Sequence, residues 1–240
     1  MNMIAKTHVD SFCSTCPTRA HCIARGLSEA DLAVLSNCMR PGRTLAGGKH
    51  LFLSGDPATH QYHVRSGTLM SYHNNQGGDE FVTGFYLAGD VVPNFVVDGT
   101  HRHSVVALEH ASVCAIRQSP DAGTLNGLPG SVWSVLTRYA HDASTRALSH
   151  QLNLKIASAE ARFAGFCVEM MRRLKSLHRD PTDIPTPMRR TDIASYLGLT
   201  LESLSRVMSK LSRRGIICAD RQYVKVLDEK TLTSLAPHLS

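Results

Sequence analysis

Cys13-x2-Cys16-x5-Cys22 puts three thiols within a ten-residue stretch of the 240-residue chain. Three thiolates that close repel one another unless a cation or a cluster shares their charge. Zinc and iron–sulfur centres both do this, normally with a fourth ligand. Four further cysteines are available: Cys38, Cys114, Cys167 and Cys218. Cys167 lies in the apolar stretch 163–171 and Cys218 in an expected β-hairpin, so each reads as a small core hydrophobe. Spacing alone separates neither Cys38 from Cys114 nor zinc from iron–sulfur. Lys6, Arg19, His21 and Arg25 are close enough in sequence to offset the charge of a thiolate-ligated centre. The first ten residues lack the apolar core of a secretory leader, and no apolar run approaches the roughly 20 residues of a membrane span. A cytoplasmic location without membrane association is therefore expected, and thiols that stay reduced there favour ligands over disulfides.

The second concentration of chemistry is basic. The chain carries a formal charge of +6, and residues 186–240 hold nine Lys/Arg against five Asp/Glu, which is +4 of that total. A helix over 190–197, a Gly198-Leu199-Thr200 turn, a helix over 201–213 capped by Thr200 and closed by Gly215, and a hairpin over 216–227 follow the winged helix-turn-helix order. Ile193, Leu197, Leu199, Leu204, Val207 and Leu211 supply the apolar faces that lock the two helices. Glu202, Ser205 and Arg206 fall within about one turn of the second helix on one face. Arg grips guanine O6 and N7, Glu accepts from the cytosine amino group, and Ser is adaptable. Ser209, Lys210, Arg213 and Arg214, with Arg189 and Arg190, are candidates for phosphate contacts. The bland alternative is a solvated polar face held by a Glu202–Arg206 pair at i, i+4. The basic domain and the expected wing weigh for double-stranded DNA.

The elements that must position these residues follow from patterning. Residues 28–38 read as a helix with Ser28 as N-cap. Short apolar runs at 50–53, 61–64, 68–73, 81–86, 91–97, 104–108 and 112–116, separated by glycine turns, read as a small antiparallel barrel or double sheet. From 131 to 177 there is no proline and one glycine, so one long helix followed by another is expected. Leu136, Ala140, Ala143, Ala147, His150 and Leu154 recur at heptad spacing, which suits a homodimer seam. Residues 181–187 read as a loop. The chain thus divides into a cysteine-rich segment (1–25), a barrel sensor domain (26–130), a dimerisation helix with its successor (131–180) and a DNA-binding domain (181–240).

Three motifs now resemble a known family: the cysteine spacing, Ala107-Leu108-Glu109-His110-Ala111-Ser112-Val113-Cys114, and Asp192-Ile193 through Tyr196-Leu197-Gly198-Leu199-Thr200-Leu201-Glu202-Ser203-Leu204-Ser205-Arg206. Together with the stretch 78–90 they are similar to the oxygen-responsive fumarate and nitrate reduction (FNR) regulators of the catabolite activator protein (CRP) superfamily, over nearly the whole chain. The resemblance implies an α+β fold: an antiparallel β-barrel of the jelly-roll, cyclic-nucleotide-binding type, a long dimerisation helix and a winged helix-turn-helix. It implies a [4Fe-4S] cluster on Cys13, Cys16, Cys22 and Cys114, which favours dimerisation while intact. It also implies palindromic DNA with half-sites like TTGAT, and RNA polymerase as a partner through a barrel loop such as 74–80. Pro17 and His21 depart from the family pattern beside the expected cluster. The stretch 98–104 lacks the glutamate–arginine pair of a cyclic-nucleotide pocket, which weighs against cyclic AMP.

Two rival readings remain. One keeps the regulator but senses through zinc, a disulfide switch or haem. The other is a barrel metalloenzyme built on His101-x-His103 and Glu109. Its spacing is poor and no nucleophile–base constellation accompanies it, so an enzyme is not expected. His60, His63, His73, His101 and His103 read as surface residues.

Overall fold

The computed structural model describes residues 13–117 and 129–236. A single 3-10 turn, Arg19–His21, follows the first cysteines, and α1 (Glu29–Cys38) begins where the Ser28 hydroxyl accepts the Asp31 backbone N–H. Nine strands then build the barrel: β1 (Met39–Leu45), β2 (His50–Phe52), β3 (His60–Ser66), β4 (Leu69–Asn74), β5 (Glu80–Tyr86), β6 (Val96–Val97), β7 (Thr100–His101), β8 (Ser104–Ala107) and β9 (Ala111–Arg117). They form antiparallel sheets ordered β1-β9-β3 and β2-β8-β4-β5, with β6-β7 as a small hairpin. Leu45, Leu51, Phe52, Val64, Leu69, Val105 and Val113 fill the space between the sheets.

Two differences from the expected strands have local causes. β1 was not anticipated, because Met-Arg-Pro-Gly-Arg-Thr-Leu has neither alternation nor an apolar run; pairing with β9 recruits it, with a register shift between Pro41 and Thr44. The expected strand at 91–97 shrinks to Val96–Val97 plus a bridge between His63 and Val91. Its internal proline, Pro93, cannot donate to a ladder.

Helix α2 (Gly130–Ile156) leaves the barrel, and α3 (Ala159–Ser176) follows after a break at which the Ser158 hydroxyl caps the second helix. The C-terminal elements are β10 (Asp183–Pro185), α4 (Arg190–Tyr196), α5 (Leu201–Arg213), β11 (Ile217–Ala219), β12 (Tyr223–Val226) and α6 (Glu229–Leu235). The middle of the loop expected at 181–187 is therefore β10, which completes a three-stranded wing ordered β10-β12-β11. Both helices of the helix-turn-helix end in the same way. Gly198 and Gly215 adopt φ of +59° and +69°, and the following residues bond back, Leu199 N–H to Ala194 O and Ile216 N–H to Leu211 O. This is the glycine-dependent Schellman closure.

α3 buries Phe163, Phe166, Cys167, Met170 and Leu174 in one core with Ile193, Leu197, Leu204 and Leu211. That core continues into the barrel through Met70, Tyr72, Val82 and Phe85. Ser195 Oγ accepts the Val82 N–H, and Arg173 pairs with Asp90 and donates to Phe85 O, so α3 and α4 are bonded to β5 and the loop after it. Among the described residues no helix is long and apolar enough to cross a membrane.

Candidate cysteine centre and nucleic-acid interface

The cysteine segment folds onto the barrel and does not stand alone. Ile23, Ala24 and Leu27 share a core with Leu32 and Leu35 of α1, Met39 and Ile116 of the first sheet, and Val132 and Val135 of α2. The Thr18 hydroxyl donates to Arg65 O on β3, and the Tyr139 hydroxyl of α2 donates to His21 O. A side chain at Gly89 would collide with that same His21 carbonyl, and Gly89 also has φ +91°, so only glycine lets the loop after β5 pass so close.

This docking brings Cys13, Cys16 and Cys22 to Cys114 in the middle of β9. All four line one cavity of about 20 Å³, together with Ile23, Ala24, Met39, Val64, His63, Thr18 and Arg65. The volume admits about one water-sized sphere. Among the described residues no group of three or more His, Cys, Asp or Glu is set to hold a single metal ion. The four thiols surround a space instead. Cys13 and Cys114 are buried. Burial pushes the Cys13 and Cys22 thiols up, and it pushes Cys114 up to about 12, with Cys16 and Cys13 adding to the rise. Burial therefore disfavours the thiolate form of Cys13, Cys22 and Cys114 until positive charge arrives to be shared. Arg65 and Arg19 act in the opposite direction on Cys13. Arg65 was invisible in the sequence, since it joins the cysteines only through the β3–β9 pairing.

Several expectations about neighbours change. The His21 ring contacts His178 edge-on at 5.1 Å and lines a different, larger cavity, so it does not face the cysteines. Arg25 lines that second cavity too. Lys6 lies outside the described residues. Cys167 is fully buried in the α3 core, whereas Cys218 is exposed and is no core residue. His63, His101 and His103, read as surface residues, are buried at 2%, 1% and 6% exposure. His101 stacks on Phe52 at 3.6 Å and His103 meets Phe52 edge-on, so both imidazoles serve as aromatic filling of the barrel. Burial lowers His63 and His103 to about 4.

On α5, Leu204, Val207, Met208 and Leu211 are buried, and Glu202, Arg206, Ser209, Lys210 and Arg213 are exposed, with Ser205 half-buried. Glu202 and Arg206 lie 3.4 Å apart, the i, i+4 pair weighed above. Lys210 and Arg214 both reach Glu160 at the start of α3, the latter at 2.7 Å. Arg189 forks onto Asp192, and Arg190 leans on Met208 and Asp220 O. Arg162 donates to the Leu197 and Gly198 carbonyls, fixing the turn between the two helices. Glu160 and Arg162 are positioning residues that the sequence did not announce, because their partners lie 35 or more positions away.

The expected dimer seam divides. Leu136 packs on the core beneath the cysteine segment, His150 stacks on Tyr196 at 4.0 Å, and Leu154 borders Gly198. Ala143 is half-buried, while Ala140 and Ala147 are exposed, as are Trp133, Leu148 and Leu152 on α2.

A β-barrel joined by a long helix to a winged helix-turn-helix defines a DNA-binding transcription regulator of the CRP type. The family model for a Crp-like helix-turn-helix domain matches residues 161–235, and that for a cyclic nucleotide-binding domain matches 42–120. The chain is 32% identical over 230 residues to the fumarate and nitrate reduction regulatory proteins of Escherichia coli K12 and Salmonella typhimurium, covering 94% of this chain and 90% of each relative. The structure of FixK2 from Bradyrhizobium japonicum superposes with TM-score 0.71 at 29% identity, over 82% of this chain and 98% of that one. A CRP-family regulator of Thermus thermophilus shares the fold, with TM-score 0.64 at 18% identity over 81% of this chain and 96% of its own. The chain belongs to the fumarate and nitrate reduction regulator family, within the CRP/FNR superfamily of transcription regulators.

Proposed function

We propose that the protein is an oxygen- or redox-responsive transcription regulator whose Cys13, Cys16, Cys22 and Cys114 hold a [4Fe-4S] cluster, and that it binds DNA as a dimer while that centre is intact. One observation carries the reading: a cysteine at the far end of the barrel sequence, Cys114, lies at the same cavity as the three N-terminal cysteines. The donor set fits the group, since four thiols share one cavity and Cys13, Cys22 and Cys114, raised by burial and by neighbouring cysteines, need a shared positive charge to ionise. When bound, such a centre supplies redox chemistry and lability to oxygen.

The chain's own residues give that chemistry a route to DNA. The segment 13–25 touches α2 through Tyr139 and the loop after β5 through Gly89, and the next residue of that loop, Asp90, pairs with Arg173 of α3. Loss of order in the segment thus loosens contacts to both α2 and α3. A shift of a few kcal/mol suffices to move such a two-state equilibrium most of the way. Ala140 and Ala147, with the exposed Trp133, Leu148 and Leu152, offer α2 an open apolar strip for a second copy. In the complex Glu202, Ser205 and Arg206 read bases of a TTGAT-like half-site, and Ser209, Lys210, Arg213, Arg214, Arg189 and Arg190 contact phosphates. The turn at 74–80, where Asn75 and Asp79 bond to each other on the exposed tip between β4 and β5, is the surface assigned to RNA polymerase.

Anaerobic purification tests the reading. The expected protein is brown, with about four irons and four sulfides per chain, and loses both colour and site-specific DNA binding on exposure to air. A colourless, zinc-loaded chain that binds the same DNA with or without oxygen overturns it.

A further inference from the structure

His63 lies directly opposite Cys114 in the β3–β9 ladder. Cross-strand partners project to the same face with Cβ atoms about 4.5–5.5 Å apart, and the His63 ring lines the same cavity as the four cysteines. The residue is 2% exposed, yet neither Nδ1 nor Nε2 has a hydrogen-bond partner. Among the described residues it is the one histidine with both ring nitrogens buried and unpartnered; His101 and His103 leave only Nδ1 so. A buried polar atom left without a partner is costly, so an orphaned ring at a cysteine cavity points to a partner that arrives with the bound state. Four of the residues lining the cavity offer sulfur, and the Thr18 hydroxyl there is already bonded to Arg65 O. An imidazole presents at least one N–H in either protonation state, and a thiolate is an acceptor where a thiol is a poor one.

We propose that His63 donates an N–H hydrogen bond to a thiolate sulfur of the four-cysteine set, Cys114 foremost, and thereby raises the reduction potential of the centre. The proposal rests on the iron–sulfur reading above. A hydrogen bond to a ligating sulfur stabilises the more negative, reduced state, and the surrounding apolar residues Ile23, Ala24, Met39 and Val64 keep that interaction out of competition with water. His63 is a positioning and tuning residue here, with the four cysteines remaining the ligands.

The full chain, labelled with 15N-histidine and reconstituted anaerobically, tests it. Pulsed EPR of the reduced protein should show a histidine-nitrogen coupling that disappears in His63→Gln and His63→Leu. The Leu variant should keep the wild-type iron and sulfide content but titrate at a lower potential, and Gln, which retains an N–H, should recover part of the shift. A loaded wild-type protein with no histidine-nitrogen coupling overturns the proposal without any variant, as does a Leu variant with an unchanged potential; a water in the cavity then satisfies the ring. A wild-type chain that assembles no iron and sulfide defeats the cluster reading itself, and the metal analysis separates that outcome from the other two.

Discussion

The cysteine cavity and the outer face of α5 stand at opposite ends of the burial scale. Cys13 and Cys114 are 5% and 7% exposed, while the side chains of Glu202 and Arg206 are 75% and 70% exposed. The cavity draws on the N-terminal segment, β3 and β9, and its charges are costly until something shares them. The α5 face is drawn from one helix, and its charges are nearly free in water, where an exposed ion pair is worth about 0–1 kcal/mol. A buried site of this kind is all-or-none: remove one contributor and the rest lose their purpose. An exposed face is graded, because each side chain contributes by itself. Such a contrast suits the proposed function, in which one region decides whether DNA is bound and the other decides which DNA.

That contrast can be broken or sharpened by experiment. The largest effect belongs to the cavity. Cys114→Ser should abolish iron and sulfide incorporation and, with it, anaerobic binding of the cognate DNA, whereas Cys167→Ser should leave iron content unchanged. Equal iron in both variants breaks the distinction. Next comes the core under the reading face. Leu204→Ala empties a fully buried position and should cost about 2–5 kcal/mol, seen as a lower urea midpoint together with loss of binding to every sequence.

Acid should act on the barrel. His103 is held neutral by burial, with a folded pKa near 4 against 6.5 for the unfolded chain. Its contribution is therefore complete above about pH 6.5 and is lost as pH falls through 6.5 towards 4, by at most about 3 kcal/mol. His103→Phe should flatten that part of a urea-midpoint profile, and an unchanged slope would deny the burial argument.

The smallest effects belong to the exposed face. Arg206→Ala should weaken the cognate site by about 1–3 kcal/mol and relax its specificity, whereas Arg213→Ala should weaken all sequences alike and lower the salt slope by about one. Competition binding at several salt concentrations separates the two. Arg206→Ala with intact site preference would remove the base-reading role from that residue.

The α5 region was legible because helix-turn-helix chemistry is local. Thr200 as N-cap, Gly215 as the C′ closure of α5, and the spacing of Leu204, Val207 and Leu211 are all properties of short windows, and each is found as expected. The Ser28 cap of α1 was legible for the same reason. β10 and β1 were not, because both are recruited by pairing with a distant strand against weak local preference. The barrel histidines were misread for a related reason. Polar ring atoms suggested solvent, yet Phe52 supplies His101 and His103 with an aromatic surface that no neighbour in sequence reveals.

For the cysteines the division is sharper. That Cys13, Cys16 and Cys22 form a tight ligand-type group follows from the order of residues, because chain connectivity keeps positions so near one another together in any fold. Resemblance to a family named Cys114 as the fourth. Folding in three dimensions was needed to bring Cys114 to the same cavity as the other three, to add Arg65 and His63 there, and to turn His21 away. Those facts depend on how β3 and β9 register and on where the N-terminal segment docks. Register and docking are fixed by cores such as Ile23, Leu35, Ile116 and Val132 that gather residues from across the chain.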